Sequence, residues 1–182
     1  MTTQIRLSES KAFKIECELR NAGKTLFCQP HGEITEAADL NPLQAYIEKI
    51  GAPLEGLLFD LGTVFRINSY GVRNWLILLR SIPKSIRMDF ERVSEALMDQ
   101  AILLPDFLGR DLTHVKSFFA PYLCQKCNKS SSELISMPEF LKDISTLDRG
   151  FQCSVCKSQL EFDGIPDEYN TLRNLKKSGS QP

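Results

Sequence analysis

The sequence predicts an α/β fold: a mixed β-sheet with helices packed on it, followed by a small cysteine-held appendage. Three observations carry that expectation. Between residues 12 and 120, stretches with apolar residues at every second position alternate with stretches in which they recur every three or four. A hydrophobic content of 42% in 182 residues is enough for one main core. Beyond residue 120, four of the six cysteines fall in two Cys-x-x-Cys pairs.

The elements follow in order. Phe13, Ile15, Cys17 and Leu19 alternate with polar neighbours, and a turn at Asn21–Gly23 leads into "KTLFCQPHG", which predicts a hairpin. With Ala22 and Gly23 as the turn, Cys17 lies opposite Cys28, and Leu26 and Cys28 join Ile15 and Leu19 on the inward face. In a reducing compartment such a pair behaves as two small apolar residues more often than as a disulfide. Leu40, Leu43, Ile47 and Ile50 then mark an amphipathic helix, stopped by Gly51. The run Leu57, Leu58, Phe59 is too short for a helix and suits a strand covered on both sides. A second helix is expected from about Ser69 to Ser81, with Val72, Trp75, Leu76, Leu79 and Ile82 toward the sheet. "KSIRMDFERV" alternates as a strand, "SEALMDQAILL" forms a third helix ending before Pro105, and "THVKSFFAPYL" supplies a last strand. Residues 128–133, "NKSSSE", have the composition of a loop. "MPEFLKDIS" makes one or two helical turns, and "PDEYNTLRNLKK" a short terminal helix. The expected organisation is an N-terminal tail over 1–11, the α/β domain over 12–120, a four-cysteine unit over 121–166, and a short helix with a mobile end over 167–182.

Bulk properties exclude several classes. Twenty-two Lys and Arg against twenty-three Asp and Glu leave a net charge of −1, so no global field draws the chain to phosphate backbones or anionic lipid. Residues 1–16 lack the apolar centre of a secretory signal, and no stretch approaches the roughly 20 apolar residues of a membrane span. A cytoplasmic protein is the expectation. No glycine-rich phosphate loop occurs.

The stretch "RINSYGVRNWLILLR" is the most suggestive part of the α/β region. Asn68 and Ser69 stand at a strand-to-helix corner, where either side chain can accept from unpaired helix N–H groups. A phosphate on Ser69 would also be tolerated there and would add nearly two negative charges to the surface. On the side of the helix away from the sheet, Arg73, Ile77 and Arg80, with Asn74 beside them, place an apolar residue between cations. That arrangement is either an ordinary surface or an interface with an apolar centre and a charged rim.

The element order and the phrase "LLFDLGTVFRINSYGVRNWLILL" resemble the sulfate-transporter and anti-sigma-factor-antagonist (STAS) domain family over about 105 to 110 residues. By position, Asp60 and Leu61 match the family's strand-end pair, Asn68 its corner acid, Ser69 its phosphorylatable serine, Tyr70 its second hydroxyl and Gly71 its glycine. The segment "PHGEITEAADLNPLQAYI" resembles the family's lead into the first helix. Asn68 has no carboxylate, and Tyr70 is bulkier than the family's small hydroxyl residue. The resemblance implies a non-enzymatic protein-interaction module of the partner-switching type. Its protein partner would be an anti-sigma factor or a histidine-kinase-like ATPase, docked through Asn68, Ser69, Tyr70, Arg73, Asn74, Ile77 and Arg80. The family also contains scaffold and ligand-binding subunits, for example of lipid transporters, which is the alternative reading.

Cys124 with Cys127, and Cys153 with Cys156, carry the strongest local signal. Two intervening residues let both thiolates of one turn reach a single ion, and two such turns complete a tetrahedral soft-ligand shell. Structural zinc is the expected cofactor, with iron the chemical alternative. A filled shell leaves no position for a substrate, and neither pair sits at a helix start as a redox dithiol does. The segment over roughly 121–165 resembles a rubredoxin-like zinc ribbon. Asp143, Asp148, Glu161, Asp163, Asp167 and Glu168 disfavour a nucleic-acid stripe on it, so a nucleic-acid-associated regulator ranks below protein contact. His31 and His114 are expected to be strand-end or surface residues, and Asp60 to bond loop N–H groups. No acid–base pair or activated nucleophile can be assembled, and an enzyme is not expected.

Overall fold

The computed structural model describes residues 4–9, 12–104, 106–109 and 112–178. Within them the chain is a mixed α/β protein with five α-helices and two sheets. The strands of the first sheet are β1 (Gln4–Glu9), β2 (Phe13–Arg20), β3 (Thr25–Ile34), β4 (Gly56–Asp60), β5 (Val64–Ile67) and β6 (Arg87–Glu91). Their order is β1-β2-β3-β4-β6, with β5 also paired to β3. The first three strands run antiparallel, and β3–β4, β3–β5 and β4–β6 are parallel. Parallel neighbours need helical crossovers, supplied by α1 (Asn41–Ile50) and α2 (Ser69–Ser81), while α3 (Glu95–Leu103) follows β6.

The hairpin register places Cys17 opposite Cys28, and both are buried with Ile15 and Leu26. Both thiols are free, and burial raises the Cys28 pKa well above the ordinary thiol value. They act as core packing. β4 carries the next layer: Leu57 and Phe59 are buried, and Phe59 stacks on Phe90 of β6 at 5.6 Å and meets Trp75 of α2 edge-on at 5.3 Å. Trp75 donates from Nε1 to the Phe107 carbonyl at 2.9 Å, so its one polar atom is satisfied inside the core.

Three regions differ from the sequence expectation. The segment 1–11 is not only a tail, since residues 4–9 add β1 to the sheet edge. The four-residue strand β5 occupies what read as the approach to the corner, and α2 buries Leu78 in place of the expected Leu76. The strand expected to complete the first sheet, β7 (Ser117–Cys124), instead builds a second one with β8 (Lys129–Ser136) and β9 (Glu161–Phe162), in the order β8-β7-β9. The polar run "NKSSSE" therefore contributes most of a strand rather than a loop.

The two sheets share one hydrophobic core. Single bridges join Phe90 to Val115 and Val93 to Phe118, and Lys116 N–H donates to the Phe90 carbonyl at 2.7 Å. Helices α4 (Met137–Lys142) and α5 (Pro166–Ser178) close the second sheet. Phe118, Phe140, Phe162 and Tyr169 form a ring cluster with neighbouring centroids 5.2 to 6.4 Å apart. Tyr122 donates to the Leu147 carbonyl at 2.6 Å, and burial pushes its phenol pKa up to about 12. The last turns of the terminal segment belong to α5; the mobile end expected there lies outside the described residues from 179 onward.

Gly71 sets how closely α2 approaches β3. A Cβ at this position would lie 1.8 Å from the Ile34 carbonyl oxygen and 3.0 Å from Ile67 Cγ1. Backbone cannot yield that much without moving the helix. Gly71→Ala is therefore expected to cost about 3 kcal/mol of unfolding free energy. Urea unfolding tests this: the midpoint should fall with little change in slope, and an unchanged midpoint would mean that α2 is not seated this tightly.

Candidate metal centre and helix corner

Strand β7 delivers the first ligand. Its inward residues Phe118, Ala120, Tyr122 and Cys124 alternate with half-exposed ones, so strand periodicity alone carries Cys124 to the end of the buried face. The chain then turns: Asn128 N–H donates to the Cys124 carbonyl at 2.8 Å, with Asn128 at φ 54°. The second pair repeats the device. Lys157 N–H donates to the Cys153 carbonyl at 3.0 Å, with Lys157 at φ 60°. Each Cys-x-x-Cys thus closes a tight turn whose left-handed residue follows the second cysteine. A bridge between Gln152 and Gln159, with Cys153 N–H donating to the Ser158 carbonyl, holds the second turn at its base.

The two turns face each other. The four sulfurs of Cys124, Cys127, Cys153 and Cys156 lie within 4.8 Å of one another. Across the turns, Cys124 Sγ is 3.4 Å from Cys156 Sγ, and Cys127 Sγ is 3.5 Å from Cys153 Sγ. A tetrahedral ion with sulfur bonds of about 2.3 Å has sulfur–sulfur edges of about 3.8 Å, inside the range observed here. Cys124 and Cys153 are buried, Cys156 is half-buried and Cys127 faces solvent.

The electrostatics favour thiolate at the second turn. The Cys156 thiol is drawn down to about 6, first by the Ser158 N–H and then by the Ser158 hydroxyl. Cys153 is lowered by the N–H groups of Cys156 and Val155. Cys127 is pushed up to about 12, by loss of water on its cluster side and by the neighbouring thiols. Backbone N–H groups aimed at sulfur stabilise negative charge and suit metal thiolates. The arrangement of donor type, spacing and outer hydrogen bonds can hold one metal ion and leaves no fifth protein ligand among the described residues.

The corner before α2 resolves which residue caps the helix. Asn68 occupies the N-cap position and accepts from Gly71 N–H through Oδ1 at 3.0 Å. Its Nδ2 donates to Glu36 Oε2 at 2.7 Å. Glu36's own amide, and then this bond, hold its carboxyl below the usual carboxylate range. Ser69, at the first helical position, is exposed and has no capping role. Tyr70 and Ile77 are 62% and 51% exposed, Arg73 and Arg80 are exposed, and Asn74 is half-buried. The structure therefore brings these sequence-selected residues to one outward helix face.

Other tempting residues separate. His31 lies 3.4 Å from Glu16 and His114 3.4 Å from Asp89, each with its own carboxylate on a strand. Burial is the main cause that lowers the His31 pKa. Asp60 accepts from Gly62 N–H, as its place after β4 suggested. Sequence patterns did not reveal its main partner: Arg92, 32 residues away, donates to both carboxylate oxygens, from Nε at 2.9 Å. No helix among the described residues is long and apolar enough to cross a membrane. No protein-family model matches the chain, and no curated protein matches it.

The metal site predicts a reactivity pattern. With metal bound, exposed Cys127 and half-buried Cys156 should react slowly with a thiol reagent, and a chelator should speed them by about tenfold or more. Cys17 and Cys28 should stay protected until the chain unfolds. Mass-mapped alkylation reads both outcomes; rapid modification of Cys127 that ignores the chelator would remove metal from the account.

Proposed function

We propose that this chain is a non-enzymatic regulatory protein-interaction module of the partner-switching type, with a four-cysteine zinc ribbon as a structural appendage. The observation that carries the reading is the outward face of α2. Tyr70 and Ile77 supply exposed apolar surface, and Arg73 and Arg80 flank Ile77 one turn to either side. That composition, an apolar centre with cationic rim, is that of a protein interface. The expected partner is an anti-sigma factor or a histidine-kinase-like ATPase.

The division of labour at the corner supports a switch. Because Asn68 caps the helix, modification of Ser69 would not remove a cap. A phosphate there would meet the free amides of the first turn, so the fold would tolerate it while the docking surface acquired negative charge. Against a partner surface chosen by Arg73 and Arg80, that charge reverses the local complementarity. The strand and helix order β2, β3, α1, β4, β5, α2, β6, α3 is compatible with the STAS resemblance. Glu36 brings a carboxylate to Asn68, although the corner residue itself carries none.

Zinc is the metal this donor set suits best. Four thiolates in closed tetrahedral array form a structural site without catalytic capacity. When bound, the ion supplies cross-linking between two turns separated by 25 residues of chain, and no substrate position. A cytoplasmic location fits the same reading, since a reducing compartment keeps cysteines available as metal ligands.

Pull-down from the native cytoplasm compares wild type with Ser69→Ala, Ser69→Asp and Arg73→Glu. The Ala variant should capture the same partner as wild type, and the Asp and Glu variants should lose it by about tenfold or more. Equal capture by all four proteins would end the proposal.

A further inference from the structure

The second sheet leaves one long edge open. Its order β8-β7-β9 makes β8 and β9 the outer strands. β9 is two residues long, too short to template another strand, whereas β8 runs for eight. Among the described residues β8 pairs with β7 alone, and that ladder runs from Ser117–Ser136 to Cys124–Lys129 without a register shift. Proteins blunt such edges with proline, bulges or lysine along the strand. β8 has its only lysine at its first position, and no proline or bulge.

The direction of the free backbone groups follows from β7. Phe119 N–H donates to the Val93 carbonyl at 2.8 Å, and the Ser117 and Pro121 carbonyls accept from the Val93 and Asp163 N–H groups at 3.0 and 2.9 Å. These three residues bond away from β8. In an antiparallel ladder the residues opposite them, Ser136, Leu134 and Ser132, then point their own N–H and C=O groups away from β7. Alternation adds Ser130. The edge therefore presents the amides and carbonyls of Ser130, Ser132, Leu134 and Ser136, all four with uncharged side chains.

Glu133 narrows what fits. It lies on the other face of the strand, with Ala120, and accepts from the Ser131 hydroxyl at 2.5 Å. When a second β8 runs antiparallel to the first about a two-fold axis at Ser132, Ser130 meets Leu134, Ser132 meets itself and Glu133 meets Ser131. Every outward amide of these central residues then finds a carbonyl, carboxylate faces hydroxyl, Lys129 faces Ile135, and no like charges oppose. An axis at Leu134 would set Glu133 against Ile135 instead. A net charge of −1 leaves two copies with little mutual repulsion, and the small serines offer an unrelated extended peptide little to read. We propose that β8 is a self-association edge: two copies of this chain join antiparallel through β8, centred on Ser132, and fuse their second sheets into one. Backbone pairing with little apolar burial makes the interface weak, with a dissociation constant of about 10 to 100 µM.

The test is sedimentation equilibrium of the metal-loaded full chain from about 5 µM to about 1 mM, read beside amide hydrogen exchange. The mean mass should rise toward twice the monomer, and exchange at Ser130, Ser132 and Leu134 should slow with it. Ser132→Pro removes the central donor, and because that N–H points away from β7 the ladder keeps its bonds. Ser132→Lys sets like charges opposite each other at the axis, and decides the matter should the proline variant fail to fold. Each should weaken association by about tenfold or more. On mild oxidation Ser132→Cys should form an intermolecular disulfide, since directly opposed Cα atoms lie about 5.5 Å apart, and Ser130→Cys should not. A monomer at the highest concentration, association that survives in a folded Ser132→Pro or Ser132→Lys variant, or cross-linking at position 130 in preference to 132 would overturn the assignment.

Discussion

Strand β7 is the element on which the rest of the architecture depends. The chain just ahead of it and its second residue are tied to the end of the first sheet, through the Phe90–Val115 and Val93–Phe118 bridges. Its body carries the full ladder of the second sheet, with Phe118 paired to Ile135 and Cys124 to Lys129. Its last residue is a member of the sulfur cluster. A buried face that alternates without interruption from Phe118 to Cys124 makes these three tasks one constraint: a slip by one residue would expose the aromatic core and turn the sulfur away from its partners. The second sheet is small, with a two-residue β9, and an ion clamping both turns would supply the cross-link that a short sheet lacks.

The same economy governs the corner before α2. Gly71 permits the helix to sit on the Ile34 carbonyl, and Asn68 satisfies the Gly71 amide while bonding Glu36. With closure and capping done by neighbours, the side chains of Ser69, Tyr70, Arg73 and Ile77 are left to solvent. A surface whose residues have no structural duty is free to serve recognition, and changes on it need not disturb the fold.

Much of this was legible in the residue pattern. The bounds of α2, the pairing of Cys17 with Cys28 and the cysteine quartet each follow from a short-range rule of period, turn or spacing. The losses have physical causes. β8 is an edge strand exposed along most of both faces, so "KSSSELIS" shows little apolar alternation and looks like loop. β5 is four residues long with two of them exposed, too little for any period. Leu78 replaces Leu76 because one step in helical phase rotates the buried stripe by about 100° per residue, and local spacing does not set that phase. The Asp60–Arg92 pair arises from elements brought together by folding, and no local pattern announces it.

Zinc-edge X-ray absorption on protein purified without added metal tests the central claim most directly, because it counts and measures the ligands of the ion. The account predicts one zinc per chain in a shell of four sulfurs at about 2.3 Å. A shell containing nitrogen or oxygen ligands, or a compact folded chain that carries no metal, would contradict it.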